Sequence, residues 1–277
     1  MNEHKRYTGI VLAVALFAAF AVLAFIFAPG GVRADEENPV YELKAYNGSL
    51  NREIQGEPTD LLNGVVAAPV DSFNWDGEGQ HPVWDAKVEL EIDPASNTGS
   101  IKAEWTDLNG TWTFEQTAFG PAGVIPHHPT GLRVTSALET ALIHDDPVST
   151  NVYLHGDTTA GGPVLPTVFN YIATWGPAEV TLDGEPFPNI YDGPTPAWVA
   201  HTMTTEGVRN LDGTVTVNGG EIYNPSLQNQ TGDIDPNDLE FHLVFHDAPG
   251  PEMTDNFPPP LSFFYHLTFE DVQLEIK

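Results

Sequence analysis

The chain has 277 residues and carries 39 acidic against 10 basic side chains, a formal net charge of −29. Nucleic acid and anionic lipid surfaces are excluded as partners, because binding either takes clustered cations that this balance lacks. With no cysteine, disulfides, thiol catalysis, iron–sulfur clusters, cysteine-ligated zinc and blue-copper thiolate sites are excluded as well.

The first 34 residues read as an export signal or an uncleaved membrane anchor. Lys5 and Arg6 precede an uncharged run from Ile10 to Ala28. At 1.5 Å per residue that run reaches about 28 Å, close to a hydrocarbon core. Val32 and Ala34 supply small residues at −3 and −1, so cleavage would release Asp35. Membrane contact is expected only through this segment, as an apolar helix, with the body of the chain extracytoplasmic, secreted or held at the cell surface. The acidity suits a salty exterior, where self-repulsion is screened, or an acidic secreted protein. Asn47-Gly-Ser49, Asn109-Gly-Thr111 and Asn229-Gln-Thr231 are glycosylation sequons that fit the same location.

Residues 35–277 read as a single domain, because no polar linker divides them and 41% hydrophobic content supplies a core. After a strand over 40–47, Trp84 to Asp93 alternates Ala86, Val88, Leu90 and Ile92 with charged residues. Ile101, Ala103 and Trp105 continue the pattern, and Asn109-Gly110 turns the chain into Trp112 and Phe114, so 84–118 predicts a three-stranded meander. Leu132 to His144 fits helix and strand equally. Further strands are expected over 151–156, 166–175, 178–183, 213–217, 221–224, 239–247 and 262–276. In the last, Phe263, Tyr265, Leu267 and Phe269 face inward, then Val272, Leu274 and Ile276, which calls for a bulge near Glu270-Asp271. The fold class is all-β: an antiparallel β-sandwich, with a jelly roll as one form and long Pro/Gly-rich loops.

His242 and His246 stand four apart. In a strand that spacing is about 13 Å, so they cannot share an ion. A different pairing follows if strands 239–247 and 261–269 form a hairpin with a symmetric loop: His242 then faces His266. His155-Gly-Asp157 and His201-Thr-Met203 each put two donors on one strand face. His-x-Met suits copper, and His with Asp suits zinc or a harder ion. The transition-metal candidates are therefore His155, Asp157, His201, Met203, His242 and His266. Asp233, Asp235 and Asn237 space oxygen donors as calcium takes them, although the EF-hand positions six and twelve are Asp238 and Val244.

Residues 151–169, with His155-Gly156 and Gly161-Gly162-Pro163-Val164, resemble a stretch of the CHRD domain, an extracellular β module. The likeness is confined to that stretch, and Tyr153 stands where the module has an earlier histidine. Membership is not claimed on it.

No nucleophile elbow, phosphate loop or His-Glu-x-x-His is present, so catalytic residues stay unassigned and the reading leans away from an enzyme. Trp75, Trp84, Trp105, Trp112, Trp175 and Trp198 serve either as core or as a sugar-stacking platform. Two functions remain open. One is an exported binding or structural protein with a glycan, matrix or surface-protein partner. The other is an extracytoplasmic metal-binding protein or metalloenzyme using the clustered histidines, with copper, zinc or calcium as its ion.

Overall fold

The computed structural model describes residues 39–55, 81–120, 133–135, 140–142, 147–155, 165–190, 197–210, 212–217, 219–224, 227, 230, 232–233, 235–247 and 263–277. The expected leader over 1–34 lies outside them, as do Asp157, Trp75 and Asn229.

The strands, in chain order, are β1 (Tyr41–Gln55), β2 (His81–Pro82), β3 (Trp84–Asp93), β4 (Thr98–Thr106), β5 (Thr111–Gln116), β6 (Arg133–Thr135), β7 (Thr140–Leu142), β8 (Val148–Leu154), β9 (Val168–Leu182), β10 (Glu185–Pro186), β11 (Trp198–Gly207), β12 (Thr216–Val217), β13 (Glu221–Ile222), β14 (Asp235–His246) and β15 (Phe263–Ile276). No helix is present among the described residues. The β3–β4–β5 meander forms as its alternation predicts: Ala86, Val88, Leu90, Ile92, Ile101, Ala103, Trp105, Trp112 and Phe114 are buried, while Lys87, Glu89, Glu91, Lys102 and Glu115 between them are exposed. Asp107 holds the second turn by accepting the Asn109 and Gly110 amides on Oδ1, at 2.7 and 3.1 Å. The stretch that fitted helix and strand equally resolves as β6 paired with β7.

The sandwich expectation needs correction, because the main sheet closes on itself. Strands β9, β11, β14, β15, β1, β3, β4 and β5 pair antiparallel in that order, and β5 returns to β9. The closure depends on β9, which the sequence divides at Gly176-Pro177 into two expected strands. It is one 15-residue strand. Along one edge it takes β8 at 168–174 and then β5 at 179–182. Gly176 marks the changeover at φ +153°, and a Cβ there would lie 2.4 Å from the Ala118 carbonyl oxygen.

An eight-stranded barrel has an interior just wide enough for side chains to fill. Leu43, Val88, Leu90, Trp105, Trp112, Phe114, Trp198, Phe241, Phe245, Phe263, Tyr265 and Phe269 belong to that core. Trp105 and Trp112 stack at 6.1 Å. The Tyr265 hydroxyl accepts from Trp105 Nε1 at 3.0 Å and donates to Asp107 Oδ2 at 2.6 Å, so both polar aromatics are satisfied. The expected phase change in β15 is present, from buried Phe269 to half-buried Val272, Leu274 and Ile276, but the bulge expected at Glu270-Asp271 is not. Opposite it, Asn47 adopts φ +56°. Pairing keeps one register across the kink, with Tyr46 opposite Asp271 and Gly48 opposite Phe269, so both strands change phase together and no residue is inserted.

The barrel wall formed by β1, β3, β4 and β5 faces water with a cross-strand charge row. Lys44, Glu89, Lys102 and Glu115 are successive partners, with Lys44–Glu89 at 3.2 Å and Lys102–Glu115 at 2.9 Å. Lys87 pairs with Glu104 and Lys277 with Glu42. Every lysine among the described residues is thus engaged by a glutamate. The opposite wall, β9–β11–β14–β15, is covered by a second apolar layer. Val152, Leu154, Leu165, Val168, Val208, Val215, Val217 and Tyr223 pack on its outer face with Trp175 and Met203.

Candidate metal centre in the covered wall

Because Phe241, Leu243 and Phe245 of β14 and Phe263, Tyr265, Leu267 and Phe269 of β15 fill the barrel, the residues between them point outward. Besides the apolar Val244 and Phe264, those outward residues are Glu240, His242 and His246 on β14 and His266 and Thr268 on β15, with His201, Met203 and Thr205 beside them on β11. The covering layer keeps them dry, and His242 is wholly buried with His201 and His266 at 5% and 6% exposure. The strand expected over 239–247 forms, and the face that carries its histidines is interior.

Strand register sets the layout. Trp175, His201, Val244 and His266 are successive partners across β9, β11, β14 and β15, and Ala173, Met203, His242 and Thr268 form the next row. The expected pairing of His242 with His266 is corrected by two residues: Val244 faces His266, and His242 faces Thr268. A shift of two preserves the face. The histidines become diagonal neighbours, with His242 Nδ1 3.2 Å from His266 Nε2. Two nitrogens bound to one tetrahedral ion at ~2.0 Å stand about 3.3 Å apart.

His155 comes from the end of β8. It adopts φ +61°, a left-handed conformation that costs a histidine roughly 1–3 kcal/mol and that surrounding structure must enforce. The result is burial, with Nε2 3.1 Å from Met203 Sδ. Its ring centroid lies 6.4 Å from that of His201. His201 stacks on Trp175 at 4.8 Å, and its Nδ1 lies 3.0 Å from the Thr174 carbonyl. A carbonyl only accepts, so Nδ1 carries the proton and Nε2 presents the lone pair.

Electrostatics keeps these rings neutral. Burial, reinforced by His155, lowers His201 to about 3. Burial, with the Arg209 charge, lowers His242 to about 3. His266 lies well below the usual histidine range for the same first reason, with His242 adding to it. Neutral imidazole is the ligating form. Beside them is a buried ionic group that the sequence reading did not assemble. Glu240 Oε1 accepts the Val208 and Arg209 amides at 3.0 and 2.6 Å, and Oε2 lies 3.0 Å from His242 Nε2. Burial raises Glu240 to about 7 against the opposing Arg209 charge. Glu240 stood two residues before His242 on one strand face, a readable signal. Nothing local pointed to Arg209.

His155, His201, Met203, His242 and His266 are thus brought together, and His246 is drawn aside to the Asp247 carbonyl at 2.6 Å. The calcium candidates differ. Asp233, Asp235 and Asn237 are exposed at the start of β14, where Asp235 Oδ1 accepts the Asn237 amide and side chain at 2.9 and 3.1 Å. Among the described residues no group of three or more His, Asp or Glu side chains is arranged to hold one metal ion. A site here needs the Met203 thioether alongside imidazoles. Trp105, Trp112, Trp175 and Trp198 are all buried, so among the described tryptophans only Trp84 offers a face to a sugar. Comparison with protein-family models, with curated proteins and with solved structures gave no match.

Proposed function

We propose that this chain is an extracytoplasmic β-barrel protein that holds a soft transition-metal ion, copper(I) foremost, between its barrel wall and the covering layer. His155, His201 and Met203 are the ligands of this reading, with His242 and His266 beside them. The observation that carries it is the 3.1 Å approach of His155 Nε2 to Met203 Sδ in a buried setting, made at the cost of a left-handed histidine. A thioether with neutral imidazoles is a soft donor set, matched to copper(I) and poorly matched to calcium or magnesium. No cysteine competes for the ion. Export through the 1–34 segment would deliver the barrel to the compartment where the glycan or surface-protein partner of the other reading would also be met. The buried tryptophans leave that other reading with less support.

The test is copper(I) binding by the full chain, measured by competition against a chromogenic chelator. One ion per chain is expected, with affinity falling by more than tenfold in Met203→Leu and in His155→Ala. Absence of binding, or binding unchanged in the double variant, would overturn the proposal.

A further inference from the structure

We infer that Trp175 is a cation-binding residue of this centre: its indole face takes up the positive charge that a bound ion brings to His201. The inference rests on the metal reading and names the residue that meets the ion's charge. Strand register makes Trp175 and His201 direct partners on β9 and β11. Trp175 is wholly buried, in the same apolar cluster as Met203. The indole and imidazole stack with centroids 4.8 Å apart and planes 16° from parallel. In the metal-free protein both rings are neutral, because burial keeps the proton off the second nitrogen of His201. The pair is then an ordinary aromatic stack.

An ion changes one member of the stack. His201 Nδ1 is committed to the Thr174 carbonyl at 3.0 Å, so the ion takes Nε2. Coordination draws electron density out of the imidazole and leaves that ring carrying part of the ion's positive charge. A cation held over an indole face within ~6 Å of its centroid is attracted by the ring quadrupole, most strongly where water is excluded. The charged imidazole meets both conditions, at 4.8 Å and under the apolar cover. The ion itself lies in the imidazole plane, and that plane runs nearly parallel to the indole, so its field also reaches the indole from the face side. The ligands His155, His201 and Met203 bring no negative charge of their own. Burying a positive ion among them is therefore costly, and the indole quadrupole offsets part of that cost without adding a hard oxygen donor to a soft set. The stack strengthens only when the site is loaded, which separates this role from packing alone.

The test titrates silver(I), a redox-inert probe for copper(I), into the full chain and into Trp175→Phe and Trp175→Leu, with Trp84→Phe as the control at an exposed tryptophan. The wild type is expected to bind one silver(I) and to show a difference band in the indole ultraviolet absorption. That band is kept in Trp84→Phe and lost in both Trp175 variants. Affinity falls in the order Trp, Phe, Leu, reaching a loss of roughly tenfold or more for Leu. Urea midpoints of the metal-free variants measure the packing loss separately, and a tryptophan with a packing role alone would move those midpoints without any indole band. A band that survives Trp175→Phe, or silver(I) affinity unchanged in Trp175→Leu, would overturn the inference. The wild-type spectrum decides even if the variants do not fold: silver(I) bound with the indole absorption unperturbed overturns this inference and leaves the metal reading standing. Failure of silver(I) to bind the wild type at all would sink the metal reading, and this inference with it.

Discussion

Acidifying the metal-free protein should first stabilise it and then unfold it, with the turning point near pH 6.5. Burial raises Glu240 to about 7 and Glu270 to about 8, both above the ordinary glutamate value of 4.5. The folded state therefore binds protons that the unfolded chain does not, and stability rises as pH falls through those values. One group titrating in one state alone is worth about 1.4 kcal/mol per pH unit. Allowing for the partial exposure of Glu270, the gain between pH 8 and 6.5 is about 2 kcal/mol at most. Below 6.5 the sign reverses. The unfolded chain protonates His201, His242 and His266, while the folded chain keeps them neutral. Three protons lost against two gained leave a net loss of about 1.4 kcal/mol per unit. Below 4.5 the glutamates no longer offset it, and the loss steepens to about 4 kcal/mol per unit. Urea unfolding followed by tryptophan fluorescence, in about 1 M salt to screen the surface charge, measures the curve. Stability that climbs steadily to pH 8, or that stays level between pH 5 and 4, would refute the neutral buried histidines.

Two further substitutions test the barrel itself. Gly176→Ala should destabilise well beyond Gly184→Ala: both glycines have positive φ, but only at Gly176 does the new methyl strike backbone, at 2.4 Å. Equal losses, measured by denaturant midpoint, would mean that the Ala118–Gly120 segment after β5 does not approach β9 as closely as described. Phe245→Ala, which empties the contact between Trp105, Trp112 and Tyr265, should cost about 3–5 kcal/mol. Leu108→Ala, at 89% exposure, should stay within about 0.5 kcal/mol.

The parts legible in sequence were those in which one face is wet. Trp84–Asp93 and its two partners alternate cleanly because charged residues line their outer face, and the register follows. β11 was legible only as the strand spacing of His201-Thr-Met203 and not over its length, because Trp198–Gly207 is buried almost throughout and has no alternation to show. Closure was equally hidden. Nothing in Trp112 to Glu115 indicates that its partner is Leu182 to Glu179, some seventy residues on. At the site, face assignment placed His242 and His266 on a common surface, and a two-residue register error left that conclusion intact. What the sequence could not show was the apolar cover formed by residues such as Leu165 and Val217. That cover turns an apparently solvated face into a dry one, lowers His201, His242 and His266 below the usual histidine range, and leaves Glu240 to accept the Val208 and Arg209 amides.

The most direct test of the metal reading is X-ray absorption at the copper K-edge of the copper(I)-loaded full chain. Because the chain lacks cysteine and contains Met1, Met203 and Met253 as its only sulfur sources, a sulfur shell can come from methionine alone. The account predicts imidazole nitrogen together with one sulfur scatterer, and loss of that sulfur in Met203→Leu. A spectrum fitted by nitrogen and oxygen only, or a sulfur shell that survives Met203→Leu, would contradict it.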